Sequence, residues 1–426
     1  MKTPPVTAAP AVVELARQGR FTQIQEQFAP QLRPMVPAQA LQAAWEGELA
    51  KHGPVASVGT PVTEPAGPGA ALVKVPVRFE HGALTVAVGL AGEQGWITGI
   101  QLLPPSAAEP AVPWTPPPYA DPDTFTDADI TVGDGPLAVG GTLSLPRQPR
   151  SAPGVVLLSG SGPHDRDETI GRNKPLKDLA WGLASAGMAV LRFDKVTHAH
   201  PGQVAGTTSF TLTGEYVPHA VAAIGLLAQH PAVDAGRVFV AGHSLGGTVA
   251  PRVAAAGPPA AGLVIMAGGA QPLHWSAIRQ LRYLASLQGA SAEASRPAIE
   301  VMTRQAKLID SPDLTTATPA SELPFGAPAP YWLDLRGYDP AAAAATPGTP
   351  MLIVQGGRDY QVTVADDLSR WQAVLGGRPD VTIRIFEAGN HLFFPGSGPS
   401  SPAEYEPAQH MDPAVIRCVA NWITSA

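Results

Sequence analysis

The stretch that decides the fold is Val238-Phe239-Val240-Ala241-Gly242-His243-Ser244-Leu245-Gly246-Gly247. An apolar run leads into Gly-x-Ser-x-Gly and then into small residues that suit a helix, which predicts a strand, a sharp turn and a helix. Ser244 stands at the apex, and the glycines around it let the strand and the helix approach closely. Ser244 is therefore a candidate nucleophile. A chain with 44 glycines also offers chance matches, so a purely structural serine is the alternative.

The composition excludes several classes of protein. A chain of 426 residues is long enough for two domains, each with its own core. The net charge of −7 argues against a nucleic acid or an anionic membrane as the main partner. The single cysteine, Cys418, excludes an internal disulfide and a cysteine-rich metal site. Because no segment has the length of a membrane span or of a signal peptide, we expect a soluble, cytoplasmic protein.

Residues 1–103 read as a small α+β domain. Helical periodicity covers Val12–Phe28 and Pro37–Lys51, and alternation of apolar and polar residues then predicts strands. The strands are Val73–Phe79, Ala83–Leu90 and Trp96–Leu103, with turns at His81-Gly82 and Glu93-Gln94-Gly95. This pattern, with the closing run from Gly95 to Pro105, resembles the cystatin-like or nuclear-transport-factor-like domain found ahead of some bacterial hydrolases. No catalytic constellation is evident in it.

A proline-rich segment, residues 104–122, reads as an extended linker between two domains. Residues 123–426 begin with a hairpin around Gly133-Asp134-Gly135 and then alternate between apolar strands and helices. That order predicts an α/β fold with a mostly parallel sheet covered by helices on both faces. The predicted strands are Gly154–Ser159, Met188–Phe193, Val238–Ala241, Gly262–Ala267, Met351–Val354 and Val381–Phe386, and the predicted helices are Pro175–Ala186, Leu212–Gln229, Leu245–Ala256, Val362–Leu375 and Pro413–Ile423.

One interval, about residues 271–340, interrupts this alternation. It contains two helix-like stretches, His274–Gln288 and Glu293–Asp310, and then the aromatic pair Tyr331 and Trp332. We expect a helical cap over the Ser244 pocket, since active sites in such sheets lie beyond the carboxyl ends of the strands. A lateral pair of helices that extends the core is the alternative.

Two further residues complete a catalytic constellation with Ser244. A serine hydroxyl needs a base at neutral pH, and the base needs a group that orients it. Asp359 follows the predicted strand that ends at Val354, and His391 follows the strand that ends at Phe386. In proteins with this motif, the acid and then the histidine follow the serine along the chain. Ser244, Asp359 and His391 occur in that order, and we predict that they form the catalytic triad.

Several other residues compete for these roles. Asp194 ends a strand but stands next to Lys195, which predicts a structural ion pair. The remaining competitors are Asp366 and Asp367, which read as solvated helix residues, His243, which is expected to pack sideways, and His410, which reads as a helix cap.

An oxyanion hole is predicted from Leu158-Ser159-Gly160-Ser161-Gly162-Pro163, a strand that runs into a glycine-rich loop. The expected donors are the backbone N–H groups of Leu245 and Ser161, with Gly160 or Gly162 as alternatives to Ser161. A phosphate-binding loop is disfavoured because no Lys–Ser/Thr pair opens a following helix. The substrate pocket is expected to include Gly160, His243, Tyr331 and Trp332.

Four stretches together resemble bacterial α/β-hydrolase carboxylesterases, a family that includes dienelactone-hydrolase-like and serine-aminopeptidase-like proteins. They are Leu158 to Glu168, Lys174 to Ala180, Arg192 to Lys195, and Gly242 to Gly247. The resemblance covers residues 124–426 and implies ester hydrolysis by Ser244, Asp359 and His391, with no cofactor and no metal. It implies an α/β-hydrolase fold. Val196 and His219 depart from the family pattern where arginine and an acid are usual.

The sequence therefore predicts a serine carboxylesterase that hydrolyses short-acyl esters through an acyl-enzyme. An acyl thioesterase, an acyltransferase or a peptidase could use the same triad, and a ligand-binding module on a hydrolase-like scaffold is the alternative from another class. We expect a small-molecule ester as the substrate, with no nucleic acid or membrane as a partner. A homo-oligomer is left open.

Overall fold

The computed structural model describes the whole chain except residues 1–4, 31, 34–35, 66–69, 93, 104–113, 148–150, 206, 288–294 and 346–347. The chain divides into two compact units, Met1–Ala111 and Val112–Ala426. Within the described ranges, no helix is both long and apolar enough to cross a membrane.

The smaller unit packs helices against a five-stranded antiparallel sheet. Its core joins alternate residues of the longest strands, such as Val73 and Val75, to Val12, Ile24 and Trp45 from the helices. The elements are α1 (Pro5–Arg17), α2 (Phe21–Glu26), α3 (Ala38–His52), β1 (Val55–Val58), β2 (Val62–Pro65), β3 (Ala70–Phe79), β4 (Gly82–Ala91) and β5 (Trp96–Leu103).

The helix predicted over Val12–Phe28 is wrong in one respect, because it is two helices. Between α1 and α2 the backbone of Gly19 adopts a φ of +70°, which glycine reaches without a steric penalty. Both helices bury apolar residues in the same core. The apolar residues therefore keep a helical spacing in the sequence, although the backbone turns between the two helices. The predicted turn at residues 93–95 begins outside the described residues.

The larger unit is built on an eight-stranded sheet of order β13-β12-β11-β10-β8-β9-β7-β6. Its strands are β6 (Phe125–Val132), β7 (Val139–Pro146), β8 (Ala152–Leu158), β9 (Ala189–Phe193), β10 (Val233–His243), β11 (Gly262–Met266), β12 (Met351–Gly356) and β13 (Val381–Phe386). The hairpin of β6 and β7 joins β9 in an antiparallel pairing, and all other neighbours are parallel. A mostly parallel sheet was predicted.

Helices cover both faces of this sheet. The helices are α4 (Pro175–Ser185), α5 (Val196–Ala199), α6 (Pro201–Ala205), α7 (Leu212–Gln229), α8 (Leu245–Ala256), α9 (Leu273–Leu287), α10 (Arg296–Asp310), α11 (Ala329–Arg336), α12 (Pro340–Ala345), α13 (Ser369–Leu375) and α14 (Pro413–Ser425). Val156 and Leu158 of β8 pack in the core beneath α7 and α8, whereas Val155 and Leu157 pack with α4 and α14. Burial on both faces explains why these strands read as continuous apolar runs.

The second half of the predicted linker packs against the larger unit. The indole N–H of Trp114 donates to Asp178 at 2.9 Å, and the Lys177 ammonium lies 4.4 Å from the centre of a Trp114 ring. Tyr119 packs against the core formed with α4 and α14. Residues 104–113 lie outside the described residues. The prediction of an extended linker rested on the proline content of this segment and did not consider its aromatic residues.

The interval between β11 and β12 forms α9 to α12. Helices α9 and α10 pack together, and a small cluster that includes Ile309, Leu314 and Trp332 forms the core of this insertion. Tyr331 and Trp332 lie on α11. No helix was predicted there from the sequence, in which the two residues were described only as an aromatic pair after a loop. The insertion follows the carboxyl end of β11, next to the turn that bears Ser244.

Candidate active site

Ser244 occupies a strained turn between β10 and α8. Its φ of +52° and ψ of −120° lie in a region that side chains other than glycine rarely adopt. A Cβ added to Gly242 would stand 2.2 Å from the Gly246 carbonyl oxygen, and one added to Gly246 would stand 2.4 Å from that of Leu158. These positions tolerate only glycine, and they hold the Ser244 hydroxyl at the carboxyl edge of the sheet.

Asp359 and His391 are joined in the loops that follow β12 and β13. The Nδ1 of His391 lies 2.7 Å from Oδ2 of Asp359, and both residues are buried. Because a carboxylate accepts and does not donate, Nδ1 carries the proton and Nε2 is left with a free lone pair. This is the tautomer that a general base needs.

The Asp359 carboxylate is held in place by further bonds. Its Oδ1 accepts from the backbone N–H groups of Gln361 at 2.8 Å and Val362 at 3.0 Å. Its Oδ2 also accepts from the side-chain amide of Gln355 at 3.1 Å. The sequence analysis missed Gln355, although a polar residue at the end of the apolar β12 run was a visible signal.

The serine and the histidine are neighbours without a completed hydrogen bond. Among the described residues, no hydrogen bond joins the Ser244 hydroxyl to the imidazole of His391. His243, the residue before Ser244, contacts His391 in two ways. The centres of the two rings lie 4.8 Å apart, and Nε2 of His243 lies 2.9 Å from the carbonyl oxygen of His391. Bonds of this kind are often long in unliganded enzymes and shorten when substrate binds.

His243 and Glu168 form a buried pair that the sequence analysis missed. The Glu168 carboxylate lies 3.0 Å from Nδ1 of His243 and accepts from the Gly160 N–H at 2.7 Å. Burial opposes both charges, but their mutual attraction outweighs it: it raises the pKa of His243 and lowers that of Glu168 to about 2. His243 thus packs sideways as expected, and it does not line the cavity, contrary to the pocket prediction.

The bond to Glu168 also distinguishes the candidate oxyanion donors. It occupies the N–H of Gly160, so that group cannot face a substrate, and Gly160 does not line the cavity either. In the described part of the chain, no hydrogen bond uses the N–H of Ser161 or of Leu245. Leu245 is the first residue of α8, where the N–H has no partner within the helix. Ser161, Gly162 and Leu245 all line the cavity that contains Ser244.

That cavity has a volume of about 660 Å³ and lies between the sheet edge and the insertion. Tyr331 and Trp332 contribute to its wall. Leu273 and Ala277 of α9 line it as well. Trp332 is also completely buried in the core of the insertion.

The competing acids have other partners. Asp194 is half of an ion pair, as expected, but its partner is Arg166, at 2.8 Å to Nη2, and not the adjacent Lys195, which pairs with Glu215 at 2.9 Å. Adjacent side chains on an extended segment point in opposite directions, which separates the two charges.

Asp367 is buried and not solvated. Its carboxylate accepts from the N–H groups of Ala270 and Gln271 at 3.0 Å and from Arg279 at 2.6 Å. The short π-helical turn over residues 364–368 turns this side chain inward. His410 binds Asp178 at 3.1 Å, and the cap of α14 is Asp412 instead.

A larger cavity, about 850 Å³, opens beside α7 and the β6–β7 hairpin. His219 lines it, but its Nε2 binds the carbonyl oxygen of Leu137 at 2.8 Å and no nucleophile. No group of three or more His, Cys, Asp or Glu side chains within the described residues could hold a metal ion.

Comparison with known proteins identifies the family of this chain. The sequence matches the model of the alpha/beta hydrolase family over residues 155–408, which is more than half of the chain. The chain belongs to that family. The esterase EstD of Thermotoga maritima is 37% identical to this hydrolase over 348 residues, covering 82% of this chain and 78% of EstD.

Solved structures give weaker likenesses. An esterase of Pyrococcus furiosus is 16% identical, with a TM-score of 0.45, over 74% of this hydrolase and 99% of that chain. A 2,6-dihydroxy-pseudo-oxynicotine hydrolase is 15% identical, with a TM-score of 0.41, over 70% of this chain and 67% of its own.

Proposed function

We propose that this α/β hydrolase is a serine carboxylesterase that acts through an acyl-enzyme. The observation that carries the proposal is a strained serine that shares one cavity with two backbone N–H groups, together with a histidine that is bound to a buried carboxylate and packs against the residue before that serine. The identity to EstD, a protein named as an esterase, supports esters as the substrate class.

The reaction follows from the roles of these groups. Ser244 Oγ attacks the ester carbonyl while His391 Nε2 takes its proton, and Asp359 stabilises the imidazolium that forms. The N–H groups of Leu245 and Ser161 stabilise the negative oxygen of the tetrahedral intermediate. The intermediate collapses as His391 returns the proton to the leaving alcohol. A water molecule then attacks the acyl-enzyme by the same route and releases the acid.

The cavity favours an ester over a peptide substrate. A peptidase that binds a free amino terminus needs an unengaged carboxylate near its serine. The carboxylates that line this cavity are those of Asp310 and Asp339. Asp310 binds the rings of His274 and Trp275, and Asp339 caps the N–H groups that begin α12. Each carboxylate therefore already has partners within the protein, so neither is an acceptor reserved for a substrate ammonium group.

A substrate panel tests the proposal. It comprises p-nitrophenyl esters from acetate to palmitate, an acyl-CoA and an aminoacyl anilide, each measured with the full chain. We expect the highest kcat/KM with a short ester and little turnover of the anilide. Preferred turnover of the acyl-CoA would indicate a thioesterase, and no turnover of any substrate would favour a binding module.

Trp332 provides a test of the cap. In the Trp332→Ala variant, the space left in the cavity wall should accept longer acyl chains. We expect the ratio of kcat/KM for octanoate over butyrate to rise by about tenfold or more, because each further methylene buried contributes about 0.8 kcal/mol. The measurement is the acyl-length profile of kcat/KM.

The matched control is Leu314→Ala. Leu314 is buried in the same core cluster as Trp332 but does not line the cavity. Both changes should destabilise the insertion, by about 3–5 kcal/mol for the tryptophan and about 2–5 for the leucine. If the acyl-length profiles of both variants shift equally, the shift comes from a less stable insertion and not from the space left by Trp332. If neither profile shifts, the result favours a lateral position for the inserted helices.

The smaller unit is expected to be dispensable for the chemistry. A chain that begins at Val112 should fold and hydrolyse p-nitrophenyl acetate within about tenfold of the full chain, or about 1.4 kcal/mol. A chain that begins at Asp121 lacks Trp114 and Tyr119 and should have a lower Tm. Kinetics and thermal unfolding of both chains provide the measurement. A folded but inactive Val112 chain would show that the smaller unit completes the site.

We propose a small molecule as the substrate, in place of a nucleic acid or a membrane surface. This rests on the size of the cavity, about 660 Å³, and on the net charge of −7. The cytoplasmic location stays a prediction from the sequence, and the oligomeric state stays open.

A further inference from the structure

The carbonyl group of Gly160 is bound by two buried side chains outside the triad. The ammonium group of Lys195 lies 3.0 Å from the Gly160 oxygen, and the hydroxyl of Tyr216 lies 2.7 Å from it. Both side chains are almost fully buried. The Arg192-Phe193-Asp194-Lys195 motif stood out in the sequence, and nothing in the triad chemistry explains its lysine.

The planarity of the peptide bond connects this carbonyl to the candidate oxyanion hole. The carbonyl of Gly160 and the N–H of Ser161 belong to the same peptide unit, and in a trans peptide they point in opposite directions. Fixing the Gly160 oxygen therefore fixes the direction of the Ser161 N–H. On the preceding side, the Gly160 N–H is bound by Glu168 at 2.7 Å. Glu168 and Lys195 therefore hold the two peptide units on either side of Gly160.

Lys195 is a fully satisfied ammonium group. Its Nζ lies 2.9 Å from the Glu215 carboxylate, 3.0 Å from the Gly160 oxygen and 2.8 Å from the Tyr216 hydroxyl, which uses all three of its donors. Burial lowers the pKa of Lys195, and the Glu215 carboxylate opposes that shift. Glu215 also accepts from Tyr331 of the insertion at 3.1 Å.

We propose that Lys195, with Tyr216, is a positioning residue of the oxyanion hole, which aims the Ser161 N–H at the developing oxyanion and strengthens it as a donor. This inference rests on the proposed esterase function. A cation at the carbonyl oxygen draws electron density from the peptide nitrogen, and hydrogen bonds in a chain strengthen one another. The effect is largest in the transition state, because the negative charge forms only there.

The first test is the double substitution Lys195→Met with Glu215→Gln. Removing the lysine alone would leave an unpaired buried carboxylate, which is strongly destabilising. The introduced glutamine still offers an acceptor to Tyr331, and the introduced methionine has nearly the shape of the lysine stem. We expect kcat for p-nitrophenyl acetate to fall by about 10- to 100-fold, less than the loss of a whole oxyanion donor. KM should change by less than about threefold.

A transition-state analogue separates positioning from a general structural effect. Ser244 adds to the carbonyl carbon of a trifluoromethyl ketone, its proton passes to His391, and the ketone oxygen becomes an oxyanion in the hole. If Lys195 acts through the Ser161 N–H, affinity for this inhibitor falls by the same factor as kcat/KM. The matched control is Asp178→Asn with His410→Gln, which removes the pair between the buried Asp178 of α4 and the half-buried His410 that precedes α14. This control should lower Tm and leave both values unchanged.

The outcomes are distinguishable. A double variant that keeps kcat within about threefold of the parent, or a loss shared by the control, would overturn the inference about Lys195 while leaving the esterase proposal intact. An inactive parent would overturn the esterase proposal itself. If the double variant does not fold, Tyr216→Phe decides the question, because it removes one donor to Gly160 without changing charge. It should lower kcat and inhibitor affinity together by about three- to tenfold; unchanged values would refute the inference.

Discussion

Replacing Ser244 with alanine is expected to lower kcat for a short ester by about 10⁴- to 10⁶-fold. The change removes the atom that forms the acyl-enzyme, so the residual rate depends only on binding and on the oxyanion donors. The backbone at position 244 is strained at φ +52°, and this strain is the same for serine and for alanine. The free energy of unfolding should therefore change little.

The measurement combines steady-state kinetics with covalent labelling. A fluorophosphonate should label the parent at Ser244 and should not label the Ser244→Ala variant. Ser286→Ala, on an exposed part of α9, is the matched control, and it should keep both activity and labelling. Activity near the parent level in the Ser244 variant would refute the assignment of the nucleophile.

Replacing Asp359 with asparagine is expected to lower kcat by about 10³- to 10⁴-fold. The asparagine oxygen can still accept from the Gln361 and Val362 N–H groups, so the loop should keep its shape. Its amide NH₂ would then face His391 and donate to Nδ1, which moves the imidazole proton to Nε2. The base would present a proton to Ser244 where it needs a lone pair.

Asp194→Asn is the control for this experiment. It weakens a partly exposed pair with Arg166 and removes no group near His391. We expect a modest loss of Tm and a kcat within about threefold of the parent. Circular dichroism of both variants establishes that each is folded. A larger kcat loss in Asp194→Asn than in Asp359→Asn would show that the acid has been assigned to the wrong residue.

Local pattern was sufficient for much of the fold. The helices over Leu212–Gln229 and Leu245–Ala256 and the strand over Val381–Phe386 were predicted at their observed bounds. Their apolar periods lie within each segment, and Thr211 caps the first helix from the preceding position, so no distant information was needed. Asp359 and His391 could be selected in the same way, because each follows directly after a predicted strand.

The partners of buried charges could not be predicted in this way. Glu168 is 75 residues from His243 in sequence, and Lys195 pairs with Glu215 and not with its neighbour Asp194. Such choices depend on distances set by the packed sheet and helices. A charged run such as Asp165-Arg166-Asp167-Glu168 looks solvated in sequence, yet Asp167 and Glu168 are buried.

The place of β13 at the edge of the sheet affects how the molecule acquires activity during folding. Ser244 follows β10 in the middle of the sheet, whereas the loop that bears His391 follows the outermost strand. A partly assembled chain with a formed centre would therefore hold its nucleophile before its base. Parallel pairings of this kind close long loops and form slowly. Hydrolysis therefore requires β13 to be docked, and a state in which only the centre of the sheet is ordered would be inert towards esters.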